Sequence, residues 1–427
     1  MEILLKNGNL ITHLGEILPR CDLLIRDNLI CEVGGDIKSK TAQVIECTGK
    51  FIAPGFVAMH THSPMNIFKG IAEDVNIDDW FNKEIWPYES KLTDDDIYWG
   101  AKLAAAEMLN NGITAFADHY FKSDIIAKAC KELNIKADIA YTIFGFGGNC
   151  EEELATACHF CEEYKNDELI NPRLGPHSTY LCCEAVLKTI VDTAKKLGVG
   201  IHIHLSESQA QVTQSKAMND GKTPFAVLDK VGGFNIPCIV AHGLYIEDED
   251  IKFLKDDTCV AVCPKTYMKL GMGQGNLWRL HHKLNIVSGN DGSASSNSID
   301  VLEQMRLFAL LGKLNDKAES FTVKEIWKDL MNGHNFLNFG SGKLEPGYSA
   351  DLNIFDLNTL GTAPAYNPLS AIIYSSTSAN ITHTMVNGKF VKKDGKLCFD
   401  EQSIISAANR CAKDIYGRGK GISPLNF

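Results

Sequence analysis

Residues 56–62 of the 427-residue chain read Phe-Val-Ala-Met-His-Thr-His, an apolar run that ends in two histidines separated by one residue. Residues two apart on a β-strand point to the same side, so His60 and His62 would face one point together. Taken alone, two imidazoles at the end of an apolar strand indicate either a metal site or hydrogen-bonded core histidines. The other strands of the chain separate these alternatives.

Three more apolar runs end in residues of the same chemical kinds. Residues 201–207 read Ile-His-Ile-His-Leu-Ser-Glu, residues 239–243 read Ile-Val-Ala-His-Gly, and residues 284–292 end in Asn-Asp-Gly. The carboxyl ends of parallel strands meet at one edge, which is the functional face of such sheets. Four such endings in one chain favour a metal site, because four independent coincidences would otherwise be needed.

The residue types at these strand ends indicate the chemistry. Imidazole and carboxylate groups without thiolates suit Zn²⁺ or Fe²⁺, and three histidines with one aspartate leave a coordination position for water. A bound ion brings the pKa of that water towards neutrality and so produces a hydroxide nucleophile at pH 7. The sequence therefore predicts a hydrolytic metal site.

The middle of the chain alternates helices with short apolar strands. An acid-rich, capped helix start lies at residues 92–96, and a helix over residues 184–197 is stopped by Gly198. Apolar strands are predicted at residues 113–117, 199–205, 237–241, 259–263 and 284–288. Repeated strand–helix alternation of this length favours a parallel, helix-covered sheet, and at this size a (β/α)8 barrel.

Both ends of the chain carry short β-segments instead. Near the start, apolar runs separated by predicted turns at Asn7-Gly8 and Gly34-Gly35 lie at residues 2–5, 21–26 and 29–33. Near the other end, Asn387-Gly388 separates two apolar runs, which predicts a hairpin. The simplest arrangement pairs the two ends in one small β-domain. The predicted segments are 1–53 and 343–399 for this domain, 54–342 for the barrel, and 400–427 for a helix and tail.

Composition excludes several classes of protein. The chain is 45% hydrophobic and 22% charged, which predicts a large core rather than disorder. Lysine and arginine number 42 against 53 acidic residues, a net charge of −11 that gives no basic surface for nucleic acid. No apolar run reaches the roughly 18 residues that a membrane-spanning helix needs. No signal-peptide pattern opens the chain, so we expect a cytoplasmic protein with reduced thiols and no membrane partner.

With these residues in place, the chain resembles the amidohydrolase superfamily. The matching motifs are Pro54-Gly-Phe-Val-Ala-Met-His60-Thr-His62, His204-Leu-Ser-Glu207, Ala241-His242-Gly243, Gly289–Asn297 and Glu345-Pro-Gly-x-x-Ala-Asp351-Leu. Within the superfamily the chain is most similar to the branch of methylthioadenosine/S-adenosylhomocysteine deaminases and triazine chlorohydrolases. The resemblance extends over essentially the whole chain. It implies an α/β fold: a (β/α)8 TIM-type metal-dependent hydrolase barrel with a small β-sandwich domain formed from both termini.

The resemblance also implies roles for the strand-end residues. One divalent metal ion, with zinc ahead of iron or manganese, would be held by His60, His62, His204 and Asp291. Glu207 would shuttle a proton to a ring nitrogen of the substrate, His242 would hydrogen-bond the metal-bound water, and Asp291 would also take a proton from that water. Hydroxide attack on an aminated ring carbon would then release ammonia, so the chain is expected to be a deaminase acting on C–N bonds.

A substrate pocket is implied in the same way. Trp80 would line it, Glu89 would hydrogen-bond ribose hydroxyls, and His177 would contact a purine. The expected partner is a small heterocyclic molecule, foremost an adenosine-like nucleoside or purine, and the analogy suggests a homo-oligomer. Two alternatives stay open: a chlorohydrolase or amidohydrolase acting on a triazine- or pyrimidine-type ring, and a catalytically inactive binding relative.

Two departures from the family pattern bear on the substrate. S-adenosylhomocysteine deaminases place arginines after the next barrel strands, whereas no arginine stands between residues 26 and 173 here. The far end of the substrate is therefore expected to be neutral or cationic. The family's Asn-Pro-x-Ser-Asn-x-Lys segment reads Cys-Pro-Lys-Thr-Tyr-Met-Lys at residues 263–269, so Thr266 and Tyr267 remodel one pocket wall. His119 lies near the predicted site face without an assigned role.

Overall fold

The computed structural model describes residues 2–145 and 149–422, apart from the side chain of Asp78. Its strands are β1 (Glu2–Ile11), β2 (Ile17–Arg26), β3 (Leu29–Gly34), β4 (Gln43–Glu46), β5 (Phe51–Pro54), β6 (Phe56–Thr61), β7 (Ile113–Tyr120), β8 (Lys136–Ile143), β9 (Ile170–Pro176), β10 (Ile201–Leu205), β11 (Cys238–His242), β12 (Thr258–Val262), β13 (Ile286–Ser288), β14 (Leu352–Phe355), β15 (Ile381–Val386), β16 (Lys389–Lys393) and β17 (Lys396–Leu397).

Its α-helices are α1 (Ile77–Asp79), α2 (Trp86–Glu89), α3 (Asp94–Asn110), α4 (Ser123–Leu133), α5 (Cys150–Tyr164), α6 (Glu184–Leu197), α7 (Gln209–Met218), α8 (Pro224–Lys230), α9 (Pro264–Lys269), α10 (Leu277–Leu280), α11 (Ser293–Ser296), α12 (Val301–Asn315), α13 (Val323–Asn332), α14 (Pro368–Ser370) and α15 (Glu401–Arg418). Short 3-10 helices cover Ser63–Phe68, Gly233–Asn235, Asp248–Phe253, His281–Lys283, Ala318–Ser320, Gly333–Phe336 and Ser378–Asn380, and π-helical turns cover Trp80–Ile85 and Ala371–Ser375.

Strands β6 to β13 form a parallel sheet of eight strands in chain order. Its two outer strands approach each other, because the backbone amides of Asn290 and Asp291 donate to the carbonyl of His60 at 2.8 and 3.0 Å. A parallel bridge between Thr61 and Asp291 continues this contact. The sheet is thus a nearly closed barrel, and the predicted fold class is confirmed.

The remaining nine strands form a second, mixed sheet from both ends of the chain. The two ends meet where β5 pairs antiparallel with β14, with Ile52 opposite Ile354 and Pro54 opposite Leu352. This join confirms the expected pairing of the terminal segments. The exact domain limits at residues 53, 342 and 399 stay predictions.

Three local predictions from the sequence are confirmed and one is wrong. The helix predicted at 184–197 has these bounds, and Thr93 with Asp96 forms a capping box at the start of α3. Asn387-Gly388 turns between β15 and β16 with left-handed φ values of 52° and 73°. The turn predicted at Asn7-Gly8 is wrong, because β1 continues through it with a register irregularity where the Asn7 amide donates to Asp22 Oδ1.

Two segments fall partly or wholly outside the described residues. Helix α15 accounts for most of the predicted C-terminal helix and tail, but residues 423–427 are not described. Residues 146–148, in the loop after β8, are also not described. Among the helices of the described ranges, none combines the length and the apolar character needed to cross a bilayer.

A buried ion pair ties the barrel to the second sheet. Lys136 begins β8 and Asp351 precedes β14; their side chains are 2% and 0% exposed, and Lys136 Nζ lies 2.6 Å from Asp351 Oδ2. Lys136 Nζ also donates to Ser349 Oγ at 2.8 Å. Asp351 is the aspartate of the Glu345–Leu352 signature, and its ion pair with Lys136 of the barrel gives that signature a structural reason.

Removing one charge of this pair should destabilise the protein strongly. Asp351→Asn leaves the Lys136 ammonium buried beside a neutral amide, and we expect a loss of about 3–5 kcal/mol in the free energy of unfolding. Denaturant unfolding followed by circular dichroism measures the change. Asp192→Asn, which breaks the exposed Lys188–Asp192 pair, is the control and should have little effect. Equal stability of the two variants would contradict this assignment.

Candidate active site

The strand-end residues singled out by the sequence lie together at the carboxyl edge of the barrel. Two groups of side chains there could hold a metal ion, and in each group the ligand atoms lie within 4.8 Å of one another. The groups are His60, His62 and His204, and His60, His242 and Asp291. The structure thus brings the four predicted ligands together, with His242 beside them.

The first strand reaches this cluster through an irregularity. Val57 and Met59 of β6 pack in an apolar cluster with residues of β7, β11, β12 and β13, which identifies the inside of the barrel. The register of β6 against β7 shifts between Ala58 and Thr61. A shift of this kind redirects side chains, so His60, directly after Met59, also faces the interior, 4.9 Å from His204 between ring centroids.

Three strand ends turn sharply at the site. Ser206, His242 and Asp291 have φ values of 48°, 74° and 64°. Residues with a Cβ adopt this left-handed conformation at a cost, on the order of 1–3 kcal/mol where it is strained, and such positions concentrate at functional sites. The turns point His242 and Asp291 towards the histidines of β6 and β10.

Backbone carbonyls orient two of the imidazoles. His62 Nδ1 lies 2.7 Å from the His119 carbonyl, and His204 Nδ1 lies 2.8 Å from the His177 carbonyl. A carbonyl only accepts, so each Nδ1 donates to it, and in the neutral form of the ring the Nε2 is then the atom with a free lone pair. The two Nε2 atoms are 3.4 Å apart.

The donor set fits a divalent ion. The Nε2 of His60 is buried and has no hydrogen-bond partner within the described residues. Asp291 Oδ1 lies 3.8 Å from that atom and 3.4 Å from His62 Nε2. Burial, with the neighbouring imidazoles, lowers the pKa of His60 and of His204 well below the ordinary value. Both rings are therefore neutral at pH 7, which is the form that binds a metal.

Glu207 stands at the edge of this cluster. Its Oε1 lies 3.6 Å from His242 Nε2, and its Oε2 accepts a hydrogen bond of 2.9 Å from Gln211 Nε2. The backbone amide of Glu207 donates in turn to Gln211 Oε1 at 3.1 Å. Glu207 is thus held by Gln211 on one side and faces His242 on the other.

Glu89 and Trp80 lie on the chain segment between β6 and β7. Glu89 is buried, and the hydroxyl of Tyr120, at the end of β7, donates to its Oε1 at 2.6 Å. Burial raises the pKa of the Glu89 carboxyl. The Tyr120 ring lies 6.3 Å from the His62 ring, which connects Glu89 to the histidine cluster. Trp80 is 8% exposed, and its Nε1 is buried without a partner among the described residues.

His177 lies directly against the cluster. Its ring stacks on His204 with centroids 4.7 Å apart and on Phe144 with centroids 5.6 Å apart. Burial lowers the pKa of His177 to about 3. A neutral imidazole in this position can donate or accept a hydrogen bond with a heterocycle.

Two further histidines, His202 and His119, contact the proposed metal ligands. His202 Nε2 lies 3.0 Å from His60 Nδ1, so His202 orients His60. The His119 ring lies 4.8 Å from that of His204, its Nδ1 lies 2.9 Å from Thr142 Oγ1, and its carbonyl accepts from His62. The spacing of His202 and His204 predicts that they share one face of their strand. No role for His119 could be predicted from the sequence, because its contacts come from other strands.

Comparison with known proteins agrees with this geometry. The model of the amidohydrolase family matches residues 51–391. A 5-methylthioadenosine/S-adenosylhomocysteine deaminase of Dictyoglomus turgidum is 35% identical over 424 residues, which cover 97% of this chain and 99% of that protein. An adenosine deaminase of Xanthomonas campestris with bound zinc is 26% identical with a TM-score of 0.92, covering 97% and 98% of the two chains.

A zinc complex of an atrazine chlorohydrolase from Arthrobacter aurescens is 21% identical, with a TM-score of 0.89 and coverage of 96% and 100%; at this identity it supports the fold alone. The resemblance expected from the motifs is confirmed, and so is the expected class, a hydrolase acting on C–N bonds. Zinc is present in two of these structures, and the His–Asp cluster of this chain can hold an ion of that kind.

Loss of one ligand should abolish tight metal binding. We expect the purified protein to hold about one divalent ion per chain, because three histidines and one aspartate supply the protein ligands of one ion. His204→Ala should hold far less after dialysis, as measured by elemental analysis. His282→Ala removes an exposed imidazole and is the matched control. Full metal content in His204→Ala, or none in the native protein after added Zn²⁺, Fe²⁺ or Mn²⁺, would refute the site.

Proposed function

The chain belongs to the amidohydrolase family, and from this premise we propose that it is a metal-dependent deaminase releasing ammonia from an amino-substituted heterocycle. The single observation that carries the proposal is the position of Glu207, within 3.6 Å of His242 at the edge of the His–Asp cluster. Deamination of an aromatic ring needs a proton donor beside the nucleophile, because protonation of the ring nitrogen makes the adjacent carbon easier to attack.

We assign the ion to His60, His62, His204 and Asp291, and we propose zinc, with iron and manganese as the other candidates. When bound, such an ion supplies a nucleophile at neutral pH because it lowers the pKa of a water molecule. The four side chains contribute three imidazole nitrogens and one carboxylate, a donor set that zinc accepts.

The proton transfers fall to the residues around the ion. Asp291 takes a proton from the attacking water, and His242 orients that water by a hydrogen bond. Glu207 carries a proton to the ring nitrogen and is kept in place by Gln211. Asp291 then gives the proton that it took from the water to the departing amino group, which leaves as ammonia when the C–N bond breaks. The hydroxyl left on the ring carbon returns its proton to Glu207 as the carbonyl forms. Glu207, His242 and Asp291 are accordingly the proposed catalytic residues.

We propose an adenosine-like nucleoside or purine as the substrate. Tyr120 donates to one oxygen of Glu89, and a carboxylate has acceptor capacity for further donors, such as the hydroxyls of a ribose. The Trp80 indole contributes an apolar wall, and His177 contributes a neutral imidazole for the purine. The names of the Dictyoglomus and Xanthomonas relatives, both adenosine-type deaminases, support this class.

The part of the substrate farthest from the aminated ring should be neutral or cationic. The described residues between β8 and α5 and between β9 and α6 contain no lysine or arginine, and the first turn of α5 carries Glu151, Glu152 and Glu153. A substrate carboxylate would meet no cation there. Adenosine or 5-methylthioadenosine therefore suits this chain better than S-adenosylhomocysteine. The Dictyoglomus relative is named for both 5-methylthioadenosine and S-adenosylhomocysteine.

Two alternatives make different demands. A chlorohydrolase acting on a triazine could displace chloride without a proton shuttle at Glu207, and a catalytically inactive relative would not need a complete set of ligands. We also propose a cytoplasmic location, supported by fourteen free cysteines, and a small-molecule partner with neither nucleic acid nor membrane. Assembly into a homo-oligomer remains a proposal by analogy.

An ammonia-release assay over a panel of heterocycles tests the proposed function. The panel contains adenosine, 5-methylthioadenosine, S-adenosylhomocysteine, guanine, and aminated and chlorinated triazines, each with the zinc-loaded protein. We expect kcat/KM to be highest for the two nucleosides without a carboxylate. Chloride release without ammonia release would support the chlorohydrolase instead, and no turnover of any compound would support the inactive relative.

Glu207→Gln separates metal binding from proton transfer. The amide cannot shuttle a proton, so we expect kcat for deamination to fall by at least about 10²-fold, the usual scale for a general acid or base. Metal content should stay that of the native protein. Glu184→Gln changes an exposed glutamate at the start of α6 and is the control. Normal deamination by Glu207→Gln would remove the proton-shuttle assignment.

Glu89→Gln tests sugar recognition. The substitution weakens the acceptor for ribose hydroxyls, so kcat/KM should fall more for adenosine than for the free base adenine, by about tenfold for a lost charge-assisted hydrogen bond. Steady-state ammonia release with both compounds measures the ratio. Tyr120→Phe, which frees Glu89 from its donor, should shift the same ratio less. Equal losses for nucleoside and base would contradict the ribose assignment.

A further inference from the structure

Thr266 and Tyr267, which replace the Ser-Asn pair of the family pattern, lie close to two of the proposed catalytic residues. Both side chains are buried, at 0% and 2% exposure, on helix α9 directly after β12. Thr266 Oγ1 lies 3.0 Å from Ser295 Oγ. Ser295 Oγ in turn lies 3.0 Å from Asp291 Oδ2. Thr266 is therefore one hydroxyl away from the aspartate.

The direction of these hydrogen bonds follows from proton counting. A carboxylate only accepts, and each hydroxyl has one proton to give. Ser295 has two acceptors in reach, Asp291 Oδ2 and the Gly292 carbonyl at 2.9 Å. Neither of them can donate back, so the hydrogen bond between the hydroxyls has Thr266 as its donor. Hydrogen bonds to carboxylate oxygens are generally stronger than those to carbonyls, which favours Asp291 Oδ2 over the Gly292 carbonyl as the acceptor for Ser295.

Tyr267 contacts a second proposed catalytic residue, His242, at the His242 backbone. Its hydroxyl accepts from the Cys263 amide at 3.0 Å and donates to the His242 carbonyl at 3.4 Å. The Tyr267 ring lies 5.9 Å from the His242 ring. His242 has a left-handed φ of 74°, so a donor fixed on its carbonyl helps to keep that backbone conformation.

We propose that Thr266 and Tyr267 are positioning residues of this enzyme: Thr266 orients the Asp291 carboxylate through Ser295, and Tyr267 fixes the backbone of His242. The inference rests on the proposed function for the roles of Asp291 and His242. Neither Thr266 nor Tyr267 reaches the reacting atoms through the contacts described. Loss of the Thr266 hydroxyl should therefore change kcat and metal affinity more than KM, and loss of the Tyr267 hydroxyl should change kcat alone.

Thr266→Val removes the hydroxyl and keeps the branched shape. Metal affinity and kcat should each fall by about 10- to 100-fold, the range for lost outer-shell partners of a metal ligand. KM should stay within about twofold, since substrate contacts are unchanged. Thr266→Ser keeps the hydroxyl and should restore both quantities. Thr258→Val is the matched control, because this buried threonine at the opposite end of β12 has an Oγ1 without a partner among the described residues.

Tyr267→Phe tests the second half of the proposal. The ring stays and the hydroxyl is lost, so kcat should fall by about 3- to 10-fold, the effect of losing the hydrogen bond to the His242 carbonyl, with metal content and KM unchanged. Tyr374→Phe is the matched control, because the Tyr374 hydroxyl is also buried and has no described partner. Native kcat in Tyr267→Phe would overturn its role.

Metal affinity, measured by competition with a chelator, keeps the inference separable from the proposed function. If the native protein deaminates none of the compounds, the proposed function is refuted. A reduced metal affinity in Thr266→Val would still support the positioning role in that case. Native affinity and kcat in Thr266→Val would refute the role of Thr266, as would equal damage in Thr266→Ser. If Thr266→Val does not fold, Ser295→Ala breaks the same chain of hydroxyls and should show the same loss of affinity.

Discussion

The contact between the first and last strands of the barrel determines the site. The carbonyl of His60 accepts from the amides of Asn290 and Asp291, and this closure places His60 in β6, and His62 directly after β6, beside an aspartate more than two hundred residues away in the chain. Without it, His60 and Asp291 would lie at opposite edges of an open sheet. The remaining ligand, His204, comes from a strand between them, so a barrel can gather what a flat sheet would spread out.

The closed site carries costs that a bound ion would offset. His60 Nε2 is buried without a hydrogen-bond partner in the described part of the chain, and an unsatisfied buried polar atom costs about 1–3 kcal/mol. His242 and Asp291 also hold left-handed backbone conformations. Hydrogen bonds from surrounding groups fix these arrangements, including Ser295 on the aspartate. A site that is prearranged and short of one central partner is what a resident metal requires.

The sequence predicted the barrel and its strand-end residues because strand periodicity and the functional edge of parallel sheets are local or general rules. It failed at Asn7-Gly8, where a signal typical of turns falls on an irregularity inside a long strand. It also missed the partners of the site residues. His202 and Tyr120 act through contacts between strands, and nothing in their own sequence neighbourhood shows which atom they meet.

X-ray absorption spectroscopy of the zinc-loaded protein tests the central claim most directly, because it reports the ligands of the ion without substrate. Three imidazoles and one carboxylate predict nitrogen and oxygen scatterers at about 2.0–2.2 Å and the outer-shell pattern of imidazole rings. A sulfur shell at about 2.3 Å would place the ion on cysteines instead, and a shell of oxygen alone would place it outside the histidine cluster. Either result would contradict this account.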